Sequence, residues 1–191
     1  MNIAILSGSA RANNNTFRVG KAIERQLGSM GHTASLVDFQ QYDIPLINQG
    51  PIDESAFTPF QQQLVDSMSP AQIIIIITPE YNWSTTPEIL NFLHRMGDRK
   101  FDYLFDEKVF ATIGVSTGKG GKAPALHLHT ILNKIISFTD LNSFVSSKIF
   151  EAHYTKAVLD EDGNPLGNDL FNAGLEDFIG YTIRMAQRWN T

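Results

Sequence analysis

Three stretches of this chain carry residues whose types and spacing could hold a polar ligand. Ser7-Gly8-Ser9-Ala10-Arg11-Ala12-Asn13-Asn14-Asn15-Thr16 is rich in hydroxyls and amides, with one glycine and one arginine. Helical spacing begins directly behind it, at Phe17, Ala22, Ile23 and Leu27. A helix N-terminus offers backbone N–H groups without intrahelical partners and a positive partial charge. The functional reading is a phosphate cradle with Arg11 as a forked cation. The plainer reading is a helix cap with solvated asparagines, since Ser, Thr and Asn are common N-caps. The loop has neither the Gly-Lys-Ser/Thr of a nucleotide-hydrolysing loop nor G-x-G-x-x-G, so it suits binding a terminal phosphate monoester better than cleaving one. Glu80-Tyr81-Asn82-Trp83-Ser84-Thr85-Thr86-Pro87 is a polar, aromatic loop that ends at a helix start. Ser116-Thr117-Gly118-Lys119-Gly120-Gly121-Lys122 is Gly-rich, which lets backbone N–H groups approach a flat ligand or merely makes a flexible turn.

The elements that must position these loops are legible around one run, Ile73 to Ile77. Five β-branched residues with no polar alternation read as a parallel strand buried on both faces. At about 1.5–3 kcal/mol each, their burial supplies roughly 8–15 kcal/mol of gross hydrophobic free energy. Pro79 lacks an N–H and ends the strand. Further strands are expected at Ile3–Leu6, Thr33–Phe39, Val109–Val115 and Leu141–Ser147. Helices are expected behind the first loop, over Phe57–Met68, from Pro87 to Gly97, behind the Gly-rich loop, and over Asp169–Trp189. Asp160-Glu161-Asp162-Gly163-Asn164 lacks the final glutamate of a calcium loop and reads as a turn. The aromatic connector 98–108 fits either a place under the core or a subunit contact. Alternating strands and helices predict a doubly wound five-stranded parallel sheet of order 2-1-3-4-5, a three-layer sandwich in which ligands bind beyond the carboxyl ends of the strands.

A length of 191 residues with 42% hydrophobic and 18% charged residues suits one domain spanning 1–191. The net charge of −5 argues against a nucleic-acid or anionic-membrane surface. Without cysteine there is no thiol catalysis and no thiolate metal site, which fits a cytoplasmic protein. The N-terminus lacks the basic start of a secretory leader, no apolar run approaches the ~20 residues of a membrane helix, and no histidine pair has metal-ligand spacing.

Gly8-Ser9-Ala10-Arg11, Pro79-Glu80-Tyr81-Asn82 with Ser84 and Pro87, and Ser116-Thr117-Gly118-Lys119-Gly120-Gly121 together resemble the NAD(P)H-dependent FMN reductases, a flavodoxin-like family that includes azo-dye, quinone and chromate reductases. The resemblance runs from the first residues to the last helix. It implies that Ser9, Arg11, Asn15 and Thr16 hold the FMN phosphate, that Pro79, Glu80, Tyr81 and Asn82 line the ribityl chain and isoalloxazine, and that Ser116, Thr117, Gly118 and Gly121 meet the polar edge of the ring. It further implies hydride transfer from NADPH or NADH through the flavin to a small-molecule acceptor such as FMN, a quinone or an azo compound, with no catalytic side chain and no metal. A homodimer or tetramer is the implied assembly. Asn14 stands where the family often has serine, and an amide also donates to phosphate. Asn91-Phe92 and Arg95-Met96 depart from the family's usual Leu-Lys-Asn and Asp-Trp on a helix that often meets the partner subunit.

Two other readings fit parts of the sequence. Gly114-Val115-Ser116-Thr117-Gly118 is a literal G-x-S-x-G between strand and helix, the nucleophile-elbow pattern, with His127, His129 or His153 as the partner of Ser116. A flavodoxin-type electron carrier would share the fold without NAD(P)H activity. Lys119 and Lys122 are either solvated or placed to meet a 2′-phosphate.

Overall fold

The computed structural model describes residues 1–189; the last two residues of the expected domain lie outside the described residues. Five parallel strands, β1 (Asn2–Ser7), β2 (Thr33–Asp38), β3 (Ile73–Pro79), β4 (Val109–Val115) and β5 (Phe144–Ala152), form one sheet in the order β2-β1-β3-β4-β5. The helices are α1 (Asn15–Ser29), α2 (Pro59–Met68), α3 (Pro87–Met96), α4 (Lys122–Thr139), the single turn α5 (Thr155–Val158) and α6 (Asp169–Trp189). This is the expected flavodoxin-like sandwich.

The isoleucine run explains why three layers form. Ile74 and Ile76 join one core with Leu64, Phe92 and Leu132 of α2, α3 and α4. Ile73, Ile75 and Ile77 join the other with Val19 and Ile23 of α1 and Phe178 of α6. A strand with apolar residues on both faces requires cover on both, and the helices divide accordingly. The aromatic connector is tucked under the first of these cores. Phe101, Leu104 and Phe105 are buried, and Phe105 stacks between Phe92 and Phe110 at centroid distances of 5.9 and 5.8 Å.

The last strand departs from its expected bounds. Leu141 instead closes α4, its N–H donating to the Ile136 carbonyl after Asp140 enters the left-handed region at φ 60°. The strand starts at Phe144, and a register irregularity opposite Phe110–Thr112 carries it on to Ala152. This edge strand shows partial burial along most of its length, so its apolar pattern is diluted in the sequence. Turn 160–164 forms as expected, with Asp160 Oδ1 accepting from the N–H groups of Asp162 and Asn164. Trp189 meets Phe144 at 4.9 Å between centroids. No helix among the described residues is long and apolar enough to cross a membrane.

Candidate cofactor site

The three polar loops converge at the carboxyl ends of β1, β3 and β4. Between them lies a cavity of about 290 Å³ lined by Ser9, Arg11, Asn13–Asn15, Pro79–Tyr81, Val115–Thr117 and Lys156. Eight of the twelve expected site residues are in that lining: Ser9, Arg11, Asn15, Pro79, Glu80, Tyr81, Ser116 and Thr117. Thr16, Asn82, Gly118 and Gly121 stand behind or beside it.

The first loop is held from within by Asn14. Its Oδ1 accepts from the Phe17 N–H at 2.7 Å, capping α1, and from Thr16 Oγ1 at 2.6 Å. Its Nδ2 donates to the carbonyls of Arg11 at 2.8 Å and Ser9 at 3.3 Å. The expectation that this amide donates to phosphate is therefore corrected: its hydrogens are spent on the loop's own carbonyls, and it positions the loop. Thr16 is fully buried, with its hydroxyl 2.9 Å from Ser7 Oγ. Only its backbone N–H, in the first turn of α1, is placed to meet an anion. Asn15 differs, because its Oδ1 is buried without a hydrogen-bond partner while the residue lines the cavity. An amide can present either its oxygen or, turned over, its NH₂. Either end suits a phosphorylated polyol, which offers acceptor oxygens and donor hydroxyls. Behind the loop, burial raises the Asp38 carboxyl above its ordinary range, partly offset by the hydrogen bond from the Gln40 N–H.

The second loop is pinned on every side. Glu80 N–H donates to the Val115 carbonyl at 2.9 Å, and Thr86 Oγ1 to the Gly8 carbonyl at 2.8 Å. Gly8 has no room for a side chain, since a Cβ would sit 2.0 Å from Ile89 Cδ1. Tyr81 OH lies 3.3 Å from Ser9 Oγ, and the Arg11 guanidinium sits over the Tyr81 ring at 4.3 Å. The Glu80 carboxylate reaches across to accept from the Gly121 N–H. That contact fixes two expected residues in supporting positions, with Glu80 acting as a brace between the β3 and β4 loops. Its loss has a measurable consequence. A hydrogen bond to a charged group contributes about 1.5–3 kcal/mol. Glu80→Ala should therefore speed hydrogen exchange of the Gly121 amide by about 10- to 100-fold while core-strand amides keep their protection. Unchanged exchange at Gly121 would refute the brace.

The third loop rests on glycines meeting glycines. A Cβ on Gly114 would lie 1.8 Å from the Gly121 carbonyl oxygen, and one on Gly121, at φ 103°, would lie 2.5 Å from the Gly114 oxygen. Ser116 N–H donates to the Ala152 carbonyl, and Tyr154 N–H to that of Gly118. Ser116 Oγ accepts from the Gly118 N–H at 3.3 Å. No histidine among the described residues is hydrogen-bonded to Ser116. His153 Nε2 faces Glu151 at 3.3 Å. His129 Nε2 is buried without a partner, and burial holds its pKa down. The Gly-x-Ser-x-Gly glycine thus serves backbone approach, and no triad is assembled. No cluster of metal-ligating side chains occurs among the described residues.

Residues 1–151 match the family described as NADPH-dependent FMN reductase. The chain belongs to that family. It is an FMN-dependent NAD(P)H oxidoreductase. Among its relatives is the probable NADPH:quinone oxidoreductase 2 of Oryza sativa subsp. japonica, 27% identical over 168 residues, covering 86% of this chain and 78% of that protein. Its fold is similar to FerB, a flavoenzyme NAD(P)H:acceptor oxidoreductase from Paracoccus denitrificans, with a TM-score of 0.74, 18% identity and coverage of 98% and 97% of the two chains. It also resembles an FMN-dependent NADH-azoreductase of Bacillus anthracis solved with FMN, with a TM-score of 0.57, 13% identity, and coverage of 97% and 100%.

Asn91 and Arg95, the departures on α3, turn inward in this reductase. Asn91 Nδ2 donates to Tyr42 OH at 2.6 Å and to the Ile44 carbonyl at 3.1 Å, and Arg95 donates to the Gly50 carbonyl. They tether the segment between β2 and α2 and leave the outer face of α3 to other residues. Asn14 is the functional residue that sequence reasoning misassigned. Its cap position was visible, but its bonds to Ser9 and Arg11 depend on a loop that doubles back.

Proposed function

We propose that this single domain binds FMN with the phosphate at Ser9, Arg11, Asn15 and the first-turn N–H groups of α1, and with the ring beside Pro79–Tyr81 and the backbone of Ser116, Thr117 and Gly118. The observation that carries the assignment is the convergence of a helix N-terminus, an arginine and the unpartnered Asn15 amide on one cavity. When bound, FMN supplies the ring that accepts hydride from the nicotinamide coenzyme. The protein binds, orients and keeps donors fixed where negative charge develops. Glu80, Asn14, Gly114 and Gly121 hold the loops still, and no side chain need move a proton for hydride transfer.

The proposed acceptor is a small aromatic molecule of the quinone or azo type, in line with the rice relative named for quinone reduction. We assign the protein to the cytoplasm, where the nicotinamide coenzyme is available. A homodimer through α3 and α4 is supported by a groove of about 360 Å³ lined by Leu93, Ile131, Ile135 and Phe138, the last 65% exposed.

The test is a visible spectrum of the purified protein with FMN, then NADPH under argon. Flavin bands that shift on binding and bleach with NADPH are expected. Bound flavin that neither NADPH nor NADH bleaches would make the protein an electron carrier. No binding at micromolar FMN would end the site assignment.

A further inference from the structure

The turn closing the β3 loop breaks its own folding rule. Tyr81 and Ser84 exchange both backbone hydrogen bonds, at 2.9 and 3.0 Å, leaving a two-residue turn with Asn82 at φ 50° and Trp83 at φ 64°. Turns with both central residues at positive φ are served by Asn-Gly. Asn82 obeys this preference. Trp83 does not, because a Cβ in the left-handed region is strained and glycine alone escapes the penalty. Packing does not compensate: the indole is 81% exposed, the most exposed aromatic side chain among the described residues. Folding alone would select glycine here.

The base of the turn is rigid. Tyr81 is held by Ser9 and Arg11, and Glu80 by Val115 and Gly121. The indole therefore stands on a fixed support two residues past Tyr81, which lines the cavity. Strain without a folding benefit beside a ligand site points to a role in binding.

We propose that Trp83 determines specificity for a planar aromatic electron acceptor, stacking on its ring when it enters beside the cofactor. This rests on the flavin reading above and adds to it the residue that selects a planar aromatic acceptor over other acceptors. Stacking favours flat rings and gives nothing to a compact inorganic anion.

The experiment compares Trp83→Gly, Trp83→Phe and the parent holoenzyme, with menadione and ferricyanide as acceptors at saturating NADPH. Trp83→Gly should raise the KM for menadione about tenfold, with ferricyanide changing less than twofold, and Trp83→Phe should stay near the parent. The melting temperature of Trp83→Gly should be equal or higher, because glycine relieves the turn. Menadione should quench tryptophan emission in the parent and not in Trp83→Gly, where Trp189 remains as the reporter. An unchanged menadione KM with normal FMN affinity overturns the proposal, as does equal loss with both acceptors. A dimer that dissociates on Trp83→Gly would assign the indole to a subunit contact and also overturn it. Failure of the parent to bind FMN is a separate result that removes the flavin reading, and this proposal with it.

Discussion

Gly114→Ala should cost this reductase its flavin while leaving the sheet recognisable. Gly114 lies in β4, paired with Thr78 of β3 and Glu151 of β5, so its backbone is fixed by neighbours on both sides. The added Cβ would meet Gly121 backbone atoms at 1.8, 2.3 and 2.6 Å, and no side-chain rotation can relieve contacts with backbone. The β4 loop must retreat instead. Its anchors retreat with it: the Gly121 N–H leaves Glu80, and the Gly118 carbonyl leaves Tyr154. Overpacking costs about 1–3 kcal/mol, which in a domain of this size lowers the melting temperature by roughly 2–12 °C. The larger effect falls on the proposed ring site, because Ser116, Thr117 and Gly118 move together. FMN affinity should drop by about 5- to 150-fold, the effect of losing two hydrogen-bonded contacts of ordinary strength. Fluorescence titration of FMN and far-UV circular dichroism of the same sample check it. Retained affinity would show that the 116–121 backbone does not support the ring.

Arg11→Ala should separate cofactor binding from turnover. The guanidinium is exposed and rests over Tyr81, where a cation–π contact at an exposed site contributes about 0.5–1 kcal/mol. Turning to a phosphate would exchange that contact for charge-assisted hydrogen bonds, each of about 1.5–3 kcal/mol. The net loss on truncation predicts an FMN dissociation constant raised about 10- to 100-fold. Once flavin is saturating, the maximal rate should stay within about twofold, because the phosphate end takes no part in hydride transfer. Equal losses in affinity and in flavin-saturated rate would place Arg11 beside the ring instead of the phosphate. Higher salt should narrow the difference between parent and variant, since the contact is with an exposed charge.

The fold was legible because its determinants are local. Five isoleucines need two covered faces, proline and glycine mark the ends of elements, and the order of the loops follows from alternating strands and helices. The edge strand β5 was less legible. Half-buried on both faces, it carries a weaker apolar pattern, and its start is set by the way Asp140 and Leu141 terminate α4. The short helix α5 carries no periodic signal, since four residues are too few to show one.

The site was legible as three loops that meet at one cavity, but not as the contacts those residues make with one another. Thr16, an obvious hydroxyl beside a helix start, faces Ser7 and Asn14. Glu80, an obvious polar group beside a ligand, braces Gly121 across 41 residues of sequence. The first glycine of the apparent nucleophile elbow, Gly114, is required because β4 and Gly121 at the start of α4 pass at backbone contact. By itself, the sequence determined the sheet, its buried central strand and the set of groups delivered to its carboxyl edge, because apolar periodicity and turn chemistry act over a few residues. The tertiary structure alone decided which of those groups face the cavity and which hold one another. A hydrogen-bond partner is chosen by distance in space, and the loops that meet here are far apart along the chain.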